Sequence, residues 1–173
     1  MNVPVFYDCE ASGLNGVPIE IGWAWADGTA RLHGEAHLIR PEIEWNIDAH
    51  WDRQAEALHQ ISRDELRQHG KPIWRTVQRM NHALAGRELF ADSPFDEHWL
   101  RQMFEAAGVE PDFTIRRMSA EVLIEQLANE RGMNAGDLER ARAWAVQVSP
   151  RRHRAGADAC HLARLWNIVR NGW

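Results

Sequence analysis

Apolar residues recur along this chain with two different periods, and the switches between them mark out its elements. Residues 3–7 are apolar and read as a strand that runs into Asp8, Glu10 and a Ser12-Gly13 turn signal. In 17–26, Ile19, Ile21, Trp23 and Trp25 alternate onto one face of a second strand, closed by Asp27-Gly28. A third strand is expected over 29–40, ended by Pro41. Short links between three early strands indicate an antiparallel meander. Residues 45–51 read as loop.

The period then changes to that of a helix. Ser62 with Glu65 has capping-box spacing and opens a short helix that stops near His69-Gly70. Pro72 starts a helix to about 84, with Ile73, Val77, Met80 and Leu84 in one stripe. A short strand over 88–91 precedes Ser93-Pro94, which opens a helix to about Gly108. A strand over 113–118 follows, then a helix capped by Ser119 with Ile124, Leu127 and Ala128 inward. Gly132 and Gly136 punctuate before helices over about 137–148 and 154–170, separated by Pro150. No repeat, low-complexity stretch or linker interrupts this order. The expectation is one α/β domain over 1–173, with helices packed on a mixed sheet.

Composition narrows the class. The chain has 173 residues, 45% apolar and 26% charged, which suits a soluble domain with a real core. No apolar run is long enough to span a bilayer, and the start lacks the features of a secretory leader. Two cysteines, Cys9 and Cys160, make no disulfide framework, so a reducing, cytoplasmic setting is expected. Each lies beside a carboxylate considered below, which would bring the two near one another as small buried residues. The net charge of −5 argues against extended phosphate contacts and leaves room for a local grip on a few phosphates. Nine tryptophans are first of all packing residues, with one or two available for stacking on bases.

The chemistry sits in carboxylates. Asp8 and Glu10 are two apart on a strand and so share a face; held that close, they either share a cation or lie solvated at a strand end. Asp96 begins the stripe Trp99, Leu100, Met103 and Ala107. Asp158 lies within the stripe Ala155, Ala159, Leu162, Trp166 and Val169. An inward carboxylate needs a partner, whereas a first-turn Asp also suits the helix dipole. His153 lies five before Asp158. It is either a surface residue or a general base, since an ordinary histidine titrates near neutral pH.

In order, the chain carries Asp8-Cys9-Glu10, then Ala91-Asp92-Ser93-Pro94-Phe95-Asp96, then His153-Arg154-Ala155-Gly156-Ala157-Asp158. This set resembles the DEDD superfamily of 3′–5′ exonucleases, and the histidine points to its DEDDh branch. That branch includes the proofreading subunit of bacterial replicative polymerase, ribonuclease T and oligoribonuclease. Pro18-Ile19-Glu20-Ile21-Gly22 and Leu58-His59-Gln60-Ile61-Ser62 resemble two further segments of the family. The middle motif departs from the family's H-N-x-x-F-D, with Ala91-Asp92 in place of His-Asn. Phe95-Asp96 sets the register on Asp96, with Asp92 as the competitor.

The resemblance implies an RNase H-like fold, a mixed five-stranded sheet flanked by helices. It implies two Mg²⁺ or Mn²⁺ ions held by Asp8, Glu10, Asp96 and Asp158, with His153 as general base. Gly13, Leu14 and His59 would meet the substrate, and Arg151, Arg152 and Arg154 are either phosphate contacts or solvated. The implied substrate is a single-stranded 3′ end, RNA favoured because stand-alone members often process RNA, with nucleoside monophosphate as product and a homodimer as the assembly. The alternatives are a DNA-directed exonuclease, a non-catalytic nucleic-acid-binding module and an RNase H-like endonuclease.

Overall fold

The computed structural model describes residues 3–172. Three antiparallel strands come first: β1 (Val5–Ala11), β2 (Pro18–Ala26) and β3 (Leu32–Arg40). Two short 3-10 turns, Ile43–Trp45 and Ile47–His50, lead to α1 (Arg53–His59) and α2 (Arg63–His69). After β4 (Lys71–Pro72) and α3 (Ile73–Leu84) come β5 (Glu88–Phe90), α4 (Pro94–Ala107) and β6 (Thr114–Ile115). The chain closes with α5 (Ala120–Glu130), α6 (Ala135–Val148) and α7 (Ala155–Asn171).

The sheet is mixed, in the order β4-β3-β2-β1-β5-β6, with β5 and β6 parallel to β1 at one side. It has six strands rather than the expected five. The addition is β4, two residues parallel to the end of β3, where Pro72 is tolerated because an edge strand needs no inward N–H. A two-residue strand carries no readable alternation.

Side-chain alternation makes two cores, one on each face. Val5, Tyr7, Cys9, Ile21 and Trp23 pack against α3 and α4, through Val77, Met80, Leu100 and Met103. Phe6, Ala24 and Phe90 pack against α5, α6 and α7. A smaller cluster, Ile19, Ile61 and Leu66, sits under α2. The result is three layers with one sheet in the middle, the α/β, RNase H-like arrangement expected. Among the described residues, no helix is long and apolar enough to cross a membrane.

Local signals held where capping chemistry decides them. Ser62, Ser93 and Ser119 all accept an N–H from the first turn of their helices, and Gly108 ends α4 at φ 66°. Other expectations moved. β1 continues to Ala11, because β2 pairs with it through Glu10 and beyond, so Asp8 and Glu10 lie inside a strand and not at its end. β3 begins only at Leu32, since Asp27 gathers the N–H groups of Thr29 and Arg31 into a turn. α1 was unexpected: its seven residues are mostly polar, and its start is fixed by the Asp52 side chain on the Gln54 N–H. Gly136 lies inside α6, because Asn134 and Asp137 form a capping box around it. Cys9 and Cys160 belong to opposite faces of the sheet and are not neighbours, because Cys9 points away from the Asp8–Glu10 face.

Candidate metal centre

Asp8 and Glu10 leave β1 on the side of Phe6, toward α7. What lets α7 come down to them is the facing stretch of β2. Gly22 shares this face with Glu20 and Ala24, and a Cβ on Gly22 would lie 2.3 Å from the Ala155 carbonyl carbon and the Gly156 nitrogen. The helix backbone therefore rests directly on the sheet. Its first turn places Asp158 over β1, and carboxylate oxygens of Asp8, Glu10 and Asp158 lie within 4.8 Å of one another. At that spacing each ionised pair repels by about 3 kcal/mol at an effective dielectric of about 20.

Asp96 joins from another direction. β5 pairs with β1 only at Val5 and Phe6, then ends at Phe90. The Cys9 N–H is thus left without a strand partner, and Asp96, in the first turn of α4, accepts it at 3.1 Å. The other Asp96 oxygen accepts the Ser93 N–H at 3.3 Å, completing a capping box. Asp96 is both a helix cap and a buried member of the acidic group. It does not join the tight group of three, but its charge acts on Asp8.

The electrostatics record this crowding. Burial, and then Asp96, Glu10 and Asp158, push the Asp8 carboxyl well above its ordinary range. Glu10 is raised to about 8 by burial, then by Asp158 and Glu20. Asp96 is raised to about 7 by burial, against the pull of its two backbone N–H partners. Hard oxygen donors drawn into one half-buried group, with Asp8, Glu10 and Asp96 held from ionising by burial and by neighbouring charge, fit a small dication.

His153 lies in the loop before α7. It is exposed, has φ 50°, and its side chain makes no hydrogen bond among the described residues. The loop around it is fastened at four points. His161 Nδ1 donates to the Ser149 carbonyl at 2.7 Å, and the Arg152 N–H donates to Asp158 at 2.8 Å. Arg151 pairs with Asp92. Arg154 grips Glu20 through Nε at 3.1 and 3.2 Å and a terminal nitrogen at 2.7 Å. Glu20 also accepts the Ala155 N–H at 2.8 Å, the first helical residue of α7. Sequence reasoning gave Glu20 and His161 no role. The signal for Glu20 was present: a charge on a strand face otherwise made of Gly22, Ala24 and Ala26, small residues that leave room for a close helix.

The other expected site residues are less uniform. Gly13 and Leu14 form the β1–β2 turn, which is tied to the following segment by the Asp52 N–H on the Ser12 carbonyl at 2.7 Å. A Cβ on Gly13 would come within 2.9 Å of Asp52 Cβ, so the turn needs glycine there. Leu14 is 60% exposed. His59 is buried beside Trp51, its Nδ1 accepting the Ile61 N–H at 2.9 Å, and burial lowers its pKa. It supports the wall next to the turn and has no open face. Asp92, the competitor of Asp96, is engaged by Arg151.

No family model matches the chain, and no curated protein sequence matches it. Solved structures do. E. coli exonuclease I in complex with a dT13 oligonucleotide superposes with a TM-score of 0.68 at 15% identity, over 99% of this chain and 41% of that one. This chain shares the fold of exonuclease I. The complex of E. coli exonuclease I with a dA16 oligonucleotide gives 0.64 at 15% identity, over 97% of this chain and 41% of that one. A further exonuclease I structure, discussed for its processivity, gives 0.67 at 16% identity with the same coverage of 97% and 41%. The chain spans about two-fifths of the length of these proteins. The RNase H-like fold implied by the resemblance to DEDD exonucleases is the one found, and the Asp8, Glu10 and Asp158 cluster fits that group.

Proposed function

We propose that residues 1–173 form a single 3′–5′ exonuclease domain of the DEDDh type, which hydrolyses phosphodiester bonds at single-stranded 3′ ends and releases nucleoside monophosphates. The observation that carries this reading is the meeting of Asp8, Glu10 and Asp158, from two distant parts of the chain, on the exonuclease I fold. Asp8, Glu10, Asp96 and Asp158 are the residues that would hold Mg²⁺ or Mn²⁺. Each Asp96 oxygen spends one lone pair on a backbone N–H and keeps another for a cation. When bound, such ions supply an activated water and neutralise phosphate charge.

The remaining work belongs to the chain. His153, exposed and without a side-chain hydrogen bond among the described residues, accepts the proton of the attacking water. Its loop is anchored on both sides, so the base stands in one place while its ring stays open to solvent. Leu14 packs on the terminal base from the β1–β2 turn, and Gly13 lets that turn sit against the 50–52 segment. His59 acts through the wall it supports. A homodimer rests on the resemblance to small relatives; the half-exposed Trp74 and Trp144 offer apolar surface for it, which size-exclusion chromatography would test.

Two substrates divide the reading. Small single-domain relatives favour RNA, whereas the exonuclease I structures carry dT13 and dA16 and favour DNA. Matched 5′-labelled RNA and DNA oligomers with Mn²⁺ decide between them. The expected result is a ladder shortening stepwise from the 3′ end of at least one. Internal cuts would point to an endonuclease, and intact oligomers with tight binding to a non-catalytic module.

A further inference from the structure

We infer that Arg151 is a substrate-contacting residue, its guanidinium held by Asp92 at the edge of the acidic cluster to bind the phosphate nearest the 3′ end of a single strand. The ligand class rests on the exonuclease reading; the placement does not. Three arginines cluster after Pro150, and the structure separates them. Arg154 is committed to Glu20 through two of its nitrogens. Arg152 contributes its backbone N–H to Asp158, and its side chain makes no ion pair among the described residues. Arg154 also acts on Glu10, but its guanidinium is taken up by Glu20, whereas the charge of Arg151 acts on Asp8 and Asp96 and feels Asp158.

A guanidinium has five N–H donors. In Arg151 one terminal nitrogen bonds one oxygen of Asp92, and among the described residues the rest make no hydrogen bond. The side chain is 41% exposed, so those donors are open to a ligand. Its charge opposes the rise of Asp8 and of Asp96, and Asp158 and Asp8 act back on it. Arg151 therefore stands within electrostatic reach of β1, α4 and α7 at once. The single contact with Asp92 orients it without using up the planar fork that suits a phosphate.

Donor geometry, and not net charge, favours this role over that of a mere counter-ion, since Asp92 takes one terminal nitrogen and leaves the other donors of Arg151 unbonded among the described residues. Two dications match the four carboxylates, and Asp92 matches Arg151. A phosphodiester then brings one further negative charge, and hydrolysis adds more at its oxygens. The unused N–H groups of Arg151, which the ion pair with Asp92 holds in place, are donors that can meet it.

The test uses Arg151→Ala and Arg151→Lys in the whole chain. Binding of a 5′-fluorescein single-stranded dT12 is followed by anisotropy with Ca²⁺, a larger and weaker Lewis acid that also takes oxygen ligands. Cleavage is followed with Mn²⁺. Arg151→Ala is expected to weaken binding about 10- to 100-fold. It should lower the slope of log affinity against log salt by about 0.7, the loss of one single-strand phosphate contact. Arg151→Lys should restore the salt slope and part of the affinity. Unchanged affinity in Arg151→Ala, or lost affinity with an unchanged salt slope, overturns the inference. If the wild type binds through Arg151 but cuts nothing, the exonuclease reading falls and the phosphate contact stands. If it neither binds nor cuts, both fall.

Discussion

The sharpest test of how this site is built is the Glu20–Arg154 pair. Glu20 has 4% of its side chain exposed and Arg154 38%, so the two ends of the bridge are unequal. Removing Arg154 strands a carboxylate in the interior, which costs about 3–5 kcal/mol. Glu20→Gln keeps the shape and an acceptor for the Ala155 N–H, and leaves behind an arginine that water can reach. Its cost is about 1–2 kcal/mol, the difference between a charged and a neutral hydrogen bond. Glu20→Ala also orphans the buried Ala155 N–H and should cost about 3 kcal/mol. For a domain of this size that is a fall of about 6–12 °C in melting temperature. The order should therefore be Arg154→Ala worst, Glu20→Ala next and Glu20→Gln mildest. The double variant Glu20→Gln/Arg154→Ala should be more stable than Arg154→Ala alone, because a neutral partner needs no counter-charge. Urea and thermal unfolding of the four variants read this directly. If Arg154→Ala is milder than Glu20→Gln, or the double variant equals the sum of the singles, the buried-carboxylate account is wrong.

Three more outcomes follow from the same geometry. Mn²⁺ at about 100 times its dissociation constant should add about 2.7 kcal/mol, roughly 5–11 °C, and should barely move Asp8→Ala; equal shifts in both proteins would remove the metal site. Without metal, Glu10 titrates at about 8 and Asp96 at about 7 in the fold, above ordinary values of 4.5 and 3.8. The native state thus keeps protons that the unfolded chain releases, so the stabilisation from these two carboxyls is fullest below pH about 4 and is lost as pH rises from there to about 8. Urea midpoints in EDTA should trace that fall, Glu10→Gln should flatten part of it, and a level wild-type profile would refute the crowding. Gly22→Ala puts a methyl group 2.3 Å from the α7 backbone and should cost about 3 kcal/mol or more, visible as a lower melting temperature by circular dichroism; a wild-type melt would mean that α7 does not rest on the sheet.

Much of this architecture was legible because its signals are local. Ser62, Ser93 and Ser119 announce helix starts through hydrogen bonds that reach only two or three residues. Ile19, Ile21 and Trp23 announce a strand face by period alone, and the structure buries all three. Asp8 and Glu10 share a face in any extended chain. The failures were equally physical. β4 and α1 are too short or too polar to show a period, and they exist because neighbours pair with or cap them. Cys9 and Cys160 were expected together, since adjacency to a carboxylate in sequence says nothing of which sheet face a side chain takes.

By itself, then, the amino-acid order settled which residues are acidic, on which strand or helix they ride and which way they point from it, because dihedral preference and alternation act within a few residues. Only the folded chain decided that Asp158 descends onto Glu10, that Asp96 takes an N–H that β5 is too short to reach, and that Asp92 belongs to Arg151. Those choices depend on how closely a helix can lie on a sheet, and that distance is set by glycine and alanine on facing elements far apart in sequence.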